Sequence, residues 1–259
     1  MPKPLWTPVI DVFIGYDGKE SLAYHVLAHS IMRRSSMPVR ITPIRKSTLG
    51  NLYTRDDPQA STEFSLTRFL VPYLMDYDGW GIFMDCDMLM CDDIAKLWRL
   101  RDDAKTVMCV KHAEYKSSAR TKMNGLPQTA YPRKNWSSLM MFNSRMCRGL
   151  TPRTVDQQTP AYLHRMTWAG REEHIGPLPP AWNVLVGEQG LQEDPKLLHW
   201  TLGGPWWHAY TDAPYADLWR NEFESLVNEN GGSDATAASI LNAAREQNGK
   251  NARATASSA

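Results

Sequence analysis

The chain has 259 residues, of which 42% are hydrophobic, and its formal net charge is +1. This length suits one large α/β domain or two small ones. A nearly neutral chain creates no strong overall electrostatic attraction to nucleic acid or to an anionic membrane, so we expect no nucleic-acid partner.

The four cysteines form no C-x-x-C pair and lack zinc-finger spacing, which favours a reduced, cytoplasmic protein. The first eight residues hold three prolines and no apolar run, so we expect no signal peptide. No stretch approaches the roughly 20 apolar residues that span a bilayer, although peripheral membrane contact stays open.

The N-terminal third predicts a β-α-β unit. Residues 9–15 are apolar and β-branched and then break at a glycine, which is typical of a buried strand. Residues 19–34 carry apolar side chains at helical spacing, and Val39–Ile44 is a second strand. Such a unit implies a parallel sheet with helices on its faces.

Further elements follow along the chain, and we predict a single α/β domain over residues 1–227. They are a helix at 61–71, a strand at Trp80–Met84, strands at 106–110 and 139–142, and a closing helix at 213–227. Residues 228–259 are polar and rich in alanine and serine. We expect a partly disordered tail there, with a helix at 235–245 and disorder over 249–259.

A pair of carboxylates directly follows the predicted strand Trp80–Met84. Side chains alternate along a strand, so Asp85 and Asp87 are expected on one side and Cys86 on the other. A divalent cation relieves the repulsion between two such carboxylates, and oxygen ligands suit Mg²⁺ or Mn²⁺. Ligands of open α/β sheets bind beyond the carboxyl ends of strands. The pattern predicts a metal site, with two solvated loop aspartates as the alternative.

A second candidate segment begins at His199, at the end of a short apolar run. The histidine could supply a nitrogen ligand, which would favour Mn²⁺ over Mg²⁺. Gly203 and Gly204 would let backbone N–H groups approach a phosphate. The alternative is a histidine packed in an aromatic cluster with Trp200 and Trp206.

The strand-end D-x-D, followed much later by H-x-x-x-G-G-P-W, resembles glycosyltransferase family 8, which includes glycogenin and bacterial lipopolysaccharide galactosyltransferases. The resemblance runs over about residues 9–207. It implies a GT-A fold with a Rossmann-like, mainly parallel sheet, and a retaining hexosyltransferase that uses Mn²⁺, with Mg²⁺ possible. The implied donor is a UDP-sugar and the implied acceptor a glycan or glycolipid hydroxyl, as in polysaccharide biosynthesis.

The same resemblance implies roles for particular residues. Asp85, Asp87 and His199 match the metal ligands, and Asp85, Asp87 and Arg68 form the implied catalytic set. The remaining implied nucleotide-sugar contacts are Tyr16 and Asp17 near uracil and ribose, Cys86 within the D-x-D, and Ser137, Ser138 and Asn183 beside the donor sugar.

Two departures from the family pattern affect the donor site. The family's phosphate-binding lysine is missing after the histidine, so the diphosphate is expected to rely on Arg68, the metal and the backbone of Gly203 and Gly204. The family's Asp-Gln pair is not evident, and Glu172 or Glu173 is the candidate that replaces it at the donor sugar.

Two other classes of function stay open on the sequence. An Asp-x-Asp after an apolar strand also occurs in haloacid-dehalogenase-like phosphatases, where the pair follows the first strand of the fold. The ten tryptophans would also suit a non-catalytic carbohydrate-binding protein. A nucleotidyltransferase is less favoured, because the N-terminus has no Gly-rich signature loop. On any of these readings, the polar tail after Asn230 is expected to be dispensable for nucleotide binding.

Overall fold

The computed structural model of the chain describes residues 9–56, 60, 62–113 and 132–257, with side chains through residue 250. The strands within these residues are Ile10–Gly15 (β1), Val39–Ile44 (β2), Trp80–Met84 (β3), Met88–Met90 (β4), Val107–Cys109 (β5), Leu139–Asn143 (β6), Ile175–Pro177 (β7), Val184–Leu185 (β8) and Leu197–His199 (β9). The α-helices in the same part of the chain are Ser21–Arg34 (α1), Val71–Leu74 (α2), Ile94–Trp98 (α3), Pro152–Gln157 (α4), Pro160–His164 (α5), Ala216–Glu229 (α6) and Asp234–Ser257 (α7).

The central sheet has six strands in the order β2-β1-β3-β6-β5-β7. All neighbours pair in parallel except β6, which runs antiparallel to both β3 and β5. Every residue of β1 is buried, as expected for a central strand whose two faces are both covered. The prediction of an α/β fold with a mainly parallel sheet, opened by a β-α-β unit, is confirmed.

A smaller sheet of three strands, in the order β4-β9-β8, lies next to the central one. Its first strand starts four residues after β3 ends, so the chain passes from one sheet to the other through Asp85, Cys86 and Asp87. Helix α1 packs on this sheet, where the Met90 N–H donates to Ser30 Oγ over 3.1 Å. The bend that carries the carboxylates is therefore held between two sheets.

Helix α6 packs against α1 through a buried charged group. Glu222 is 2% exposed and accepts from Arg34 Nη2 at 2.6 Å, while its other oxygen lies 2.6 Å from His29 Nδ1. Burying a carboxylate in this way requires charged or polar partners, which both come from α1. The contact fixes the C-terminal part of the domain to its N-terminal helix.

The prediction of a helix over 61–71 is wrong in type and position. Thr67–Leu70 forms a 3₁₀ turn, and Pro72 occupies the first turn of α2 rather than ending a helix. Proline favours that place because the first turn needs no N–H donor from it. Ser61 lies outside the described residues.

The C-terminal segment also differs from the expectation. Helix α7 extends through Ser257, whereas the sequence predicted a helix only over 235–245 and disorder from 249. Ala237, Leu241 and Asn248 of this helix are buried, so contacts with the rest of the domain offset its polar composition. Within the described part of the chain, no helix combines the length and the apolar character needed to cross a bilayer.

Candidate functional site

The carboxylate pair occupies the turn between the two sheets. The Asp85 N–H donates to the Ser138 carbonyl over 2.9 Å, and the Asp87 carbonyl accepts from the Trp200 N–H over 2.9 Å. The expectation that these residues continue a strand is wrong, because β3 ends at Met84. Cys86 is fully buried, and its Sγ lies 3.8 Å from a carboxylate oxygen of Glu20.

His199 joins the two aspartates because β4 and β9 pair with Met88 opposite His199. One ligand atom from each of Asp85, Asp87 and His199 lies within 4.8 Å of the others. His199 Nε2 is 3.3 Å from Asp87 Oδ1 and 4.0 Å from Asp85 Oδ2. All three side chains are largely buried, at 14% exposure or less. The structure therefore brings together the three residues predicted as metal ligands.

The hydrogen bonds behind His199 fix which of its nitrogens faces the aspartates. Ser138 Oγ donates to the Asn135 carbonyl, so it accepts from Asn183 Nδ2 over 2.9 Å. The amide oxygen of Asn183 then faces His199 Nδ1 at 3.0 Å and accepts a hydrogen bond from its N–H group. In the neutral imidazole, Nε2 is left with a lone pair directed at two carboxylates.

A lone pair and two carboxylates repel one another unless a cation lies between them. Asp87 Oδ1 is buried and has no hydrogen-bond donor among the described residues. A nitrogen and two carboxylate oxygens are a donor set that binds divalent transition metals and leaves positions open for a substrate. These residues fit a divalent cation.

Arg68 lies beneath the cluster and pairs with Asp85 at 2.7 Å. Its guanidinium also donates to the Ser137 carbonyl over 2.9 Å and lies 5.0 Å from the centre of the Phe83 ring. Burial raises the pKa of Asp85 to about 6; Arg68 opposes this shift and Asp87 adds to it. The arginine thus favours the ionised carboxylate that a metal requires.

Glu20, at the start of α1, was not anticipated from the sequence. It is 2% exposed, and its Oε1 accepts from the indole N–H groups of Trp206 (3.2 Å) and Trp207 (3.3 Å). Burial raises the pKa of Glu20 to about 8, with further contributions from Asp87 and Asp17. A single acidic residue near a helix start has no distinctive pattern, so no signal in the sequence pointed to this role.

The residues expected near a nucleotide base follow β1, the neighbour of β3. Tyr16 donates to Ser21 Oγ over 3.0 Å and has the Arg45 guanidinium 5.3 Å from its ring centre. Asp17 is buried, and its carboxylate accepts from the backbone N–H groups of Lys19 and Glu63 at 2.9 and 3.2 Å. Asp17 therefore shapes the loop after β1, on one side of the carboxylate cluster.

The residues expected at the donor sugar fall into two groups. Ser138 and Asn183 contact the cluster through His199, and Ser137, whose hydroxyl lies 2.8 Å from His164 Nδ1, is next to them. Glu172 instead pairs with Lys111 and Arg133, and Glu173 pairs with Arg171. Both glutamates are exposed, and within the described residues no contact joins either one to Asp85, Asp87 or His199.

Gly203 and Gly204 are both buried, and glycine is needed at each position for a different reason. Gly203 has φ of 133°, a conformation that side chains rarely adopt. A Cβ on Gly204 would lie 2.1 Å from the ring of Trp206. The pair is therefore required for the turn and for the packing of Trp206, in addition to any approach to a phosphate.

His112 is a second polar residue that the sequence left unassigned. It is 8% exposed and follows β5, which runs parallel to β3 because both strands pair antiparallel with β6. A polar residue just after a predicted strand, at the same edge of the sheet as Asp85, was a usable signal.

Comparison with known proteins places the chain in a family. No family model matches the sequence. Protein CDI of Arabidopsis thaliana is 48% identical over 229 residues, which cover 85% of this chain and 88% of that protein. The chain belongs to the Protein CDI family. Membership in glycosyltransferase family 8 stays a resemblance.

Solved structures show the fold of this Protein CDI family member. The bifunctional glycosyltransferase WbbM aligns with a TM-score of 0.55 at 16% identity over 85% of this chain, and GlyE of Streptococcus pneumoniae TIGR4 with 0.55 at 11% over 83%. The galactosyltransferase LgtC, in complex with donor and acceptor sugar analogs, aligns with 0.52 at 11% over 82%. The chain spans 50% of the WbbM chain and 60% of the GlyE chain, but 95% of LgtC. The expected GT-A fold is confirmed.

Proposed function

We propose that the chain is a metal-dependent, retaining glycosyltransferase that moves a hexose from a UDP-sugar to a hydroxyl of a glycan or glycolipid. The observation that carries the proposal is the placement of His199 Nε2 beside the carboxylates of Asp85 and Asp87, at the carboxyl end of β3 in a GT-A fold. LgtC, a structural neighbour, is a galactosyltransferase bound to donor and acceptor sugar analogs. The GT-A fold supports this reading over a haloacid-dehalogenase-like phosphatase.

The residues around the cluster have separate tasks in this proposal. Asp85, Asp87 and His199 would hold Mn²⁺, with Mg²⁺ as the alternative. The bound ion would neutralise charge on the diphosphate as the nucleotide departs. Asn183 fixes the tautomer of His199, and Arg68 keeps Asp85 ionised and oriented.

Residues on the two sides of the cluster would contact different parts of the nucleotide-sugar donor. Tyr16 and Asp17, after β1, would contact the nucleoside, and Ser137 and Ser138, before β6, would lie toward the sugar. Glu172 and Glu173 are less supported, because their carboxylates pair with lysine and arginine side chains away from the cluster. Gly203 and Gly204 would present backbone N–H groups to the diphosphate.

Metal-dependent nucleotide binding tests the proposal. We expect UDP to bind in the presence of Mn²⁺ and not after EDTA treatment, and UDP-sugars to be hydrolysed slowly with the same metal requirement. Asp87→Asn should lower this turnover by about two orders of magnitude, as loss of a charge-stabilising group typically does. Asp78→Asn, at an exposed carboxylate paired with Arg145, is the matched control.

Full turnover in EDTA, or near-normal turnover of Asp87→Asn, would place the activity elsewhere. Tight binding of a glycan without nucleotide or metal would instead support the non-catalytic carbohydrate-binding alternative. Hydrolysis of an aryl phosphate would revive the phosphatase alternative. A cytoplasmic location stays a prediction, in accord with four free cysteines.

A further inference from the structure

His112 is a buried histidine that the proposed chemistry leaves without a task. Its backbone carbonyl accepts from the Trp136 indole N–H over 2.8 Å, which fixes the residue just beyond β5. Gln189 joins His112 to the strand beside His199, because its side chain contacts both the His112 ring and the backbone of Leu185, the residue paired with His199. His112 therefore borders the same site as the metal-ligand candidates.

The partners of Gln189 determine which nitrogen of His112 carries a proton. The Leu185 N–H donates to Gln189 Oε1 over 3.1 Å, so the amide oxygen of Gln189 is turned toward the backbone. Gln189 Nε2 then faces His112 Nδ1 at 3.4 Å and donates to it. Burial lowers the pKa of His112 to about 4, so the imidazole is neutral near pH 7 and Nε2 bears the hydrogen.

That Nε2–H group has no acceptor among the described residues, although it is buried. An unpaired buried donor destabilises a folded protein, so most such groups have a hydrogen-bond partner. A ligand that supplies an oxygen at this position would remove this destabilisation. A neutral N–H suits a hydroxyl oxygen, whereas the cationic side chains near the cluster suit phosphate.

Strand order gives the position of His112 relative to a donor. The sequence β1-β3-β6-β5 along the sheet places Tyr16 and Asp17 on one side of Asp85 and His112 on the other. A nucleotide-sugar whose diphosphate lies at the cluster, and whose nucleoside lies beyond β1, extends its sugar toward β6 and β5. We propose that His112 donates a hydrogen bond through Nε2 to a hydroxyl of the transferred sugar and so contributes to the choice of donor. This inference rests on the proposed function.

Two substitutions at His112 separate the hydrogen bond from the bulk of the ring. His112→Phe keeps a ring of similar size and removes the N–H, whereas His112→Gln returns an amide N–H at about the place of Nε2. Affinities are measured with Mn²⁺ for UDP alone and for UDP-glucose, UDP-galactose and UDP-N-acetylglucosamine. We expect His112→Phe to bind UDP like the wild type and to bind the preferred UDP-sugar about tenfold more weakly, with most of this loss recovered in His112→Gln.

Deoxygenated analogues of the preferred UDP-sugar identify the hydroxyl. One analogue should bind the wild type about tenfold more weakly than the parent compound, yet bind His112→Phe as well as the parent does, because the interaction is already lost. If His112→Phe does not fold, His112→Asn, whose amide does not reach the place of Nε2, replaces it in the comparison with His112→Gln.

Two results would overturn the inference while leaving the proposed function intact. One is an equal loss of affinity for UDP and UDP-sugar in His112→Phe, which would place His112 at the nucleotide or in the fold. The other is unchanged affinity for both. A wild-type protein that binds none of these nucleotides with Mn²⁺ would remove the proposed function itself.

Discussion

At the scale of single residues, the site depends on side chains that fix the state of their neighbours. Asn183 sets the tautomer of His199, and Gln189 sets that of His112, each through an amide whose orientation is determined by a third group. Hydrogen bonds of this kind orient the side chains that bind a metal or ligand and change the basicity of those side chains. They explain why polar residues far apart in sequence are buried together at one edge of the sheet.

Glu20 provides a prediction on the pH dependence of stability. Its pKa is about 8 in the folded protein and near 4.5 when unfolded, so the folded state binds its proton more tightly. The stabilising effect of the protonated form is complete below pH 4.5 and is lost as pH rises through about 8. Glu20→Gln keeps an oxygen for both indoles and cannot ionise. We expect the metal-free variant to melt a few degrees above the wild type at pH 8 and at about the same temperature at pH 4.5.

Thermal unfolding in EDTA, recorded from pH 4.5 to pH 8.5, measures this difference. Glu63→Gln, at an acidic side chain outside the buried cluster, is the control and should follow the wild type at every pH. A constant offset between wild type and Glu20→Gln across the range would show that Glu20 does not titrate with a raised pKa.

At the scale of secondary structure, helix α7 supports the turn that contains Gly203 and Gly204. Arg245 Nε donates to the Pro205 carbonyl over 2.9 Å, and Asn248 Nδ2 donates to the Trp206 carbonyl over 3.2 Å. Ala237 and Leu241 pack in the cluster that includes Trp206 and Trp219. Residues 205–207 are therefore held by hydrogen bonds from α7 to their backbone and by hydrogen bonds from the two tryptophans to Glu20.

These contacts change the expectation that the C-terminal tail is dispensable. Deletion of residues 233–259 removes both hydrogen bonds to the turn and exposes apolar surface around Trp206. We expect affinity for UDP with Mn²⁺ to fall about tenfold, and Asn248→Ala to cause a smaller loss in the same direction. Truncation after Lys250, which retains Arg245 and Asn248, is the control. Isothermal titration with UDP makes the measurement, and undiminished affinity of the long deletion would restore the original expectation.

At the scale of the whole molecule, the candidate metal ligands join the two sheets. Asp85 follows the last residue of the central sheet's β3, whereas His199 belongs to the smaller sheet. Without a cation, the Asp87 carboxylate raises the pKa of both Asp85 and Glu20, so its charge disfavours the ionised forms of both. The same concentration of negative charge favours binding of a divalent ion. The arrangement therefore lowers the stability of the metal-free protein and would raise its affinity for the ion.

Melting temperatures measured with and without metal test this relation between charge repulsion and metal binding. In EDTA at pH 7.5, Asp87→Asn should melt above the wild type because one repelling charge is gone. At a hundredfold excess of Mn²⁺ over its dissociation constant, the wild type should gain about 5–10 °C, since ligand binding adds roughly 2.7 kcal/mol. Asp87→Asn should gain far less, while Asp78→Asn should respond like the wild type. A metal-free Asp87→Asn that melts well below the wild type would contradict the repulsion.

The sequence by itself determined where the main strands of the central sheet lie along the chain and which carboxylates follow β3. The limits of β2 follow from its β-branched residues and those of β3 from an apolar run, and Asp85 and Asp87 are recognised by their place at the end of that run. These features are local, so they can be read without knowing which parts of the chain meet. The GT-A fold was likewise accessible, because the spacing of short segments along the chain resembles a known family.

Only the tertiary structure decided which distant residues act together. The pairing of β4 with β9 brings His199 to Asp87 across more than a hundred residues, which the sequence indicated only through its resemblance to a known family. Short strands such as β8 form only because a neighbour supplies their hydrogen bonds. The burial of Glu20 and the stabilisation of α7 depend on contacts with Trp206 that no local pattern encodes. The tautomers of His112 and His199 depend on amides turned by their own partners, so they are properties of the folded network and not of any segment.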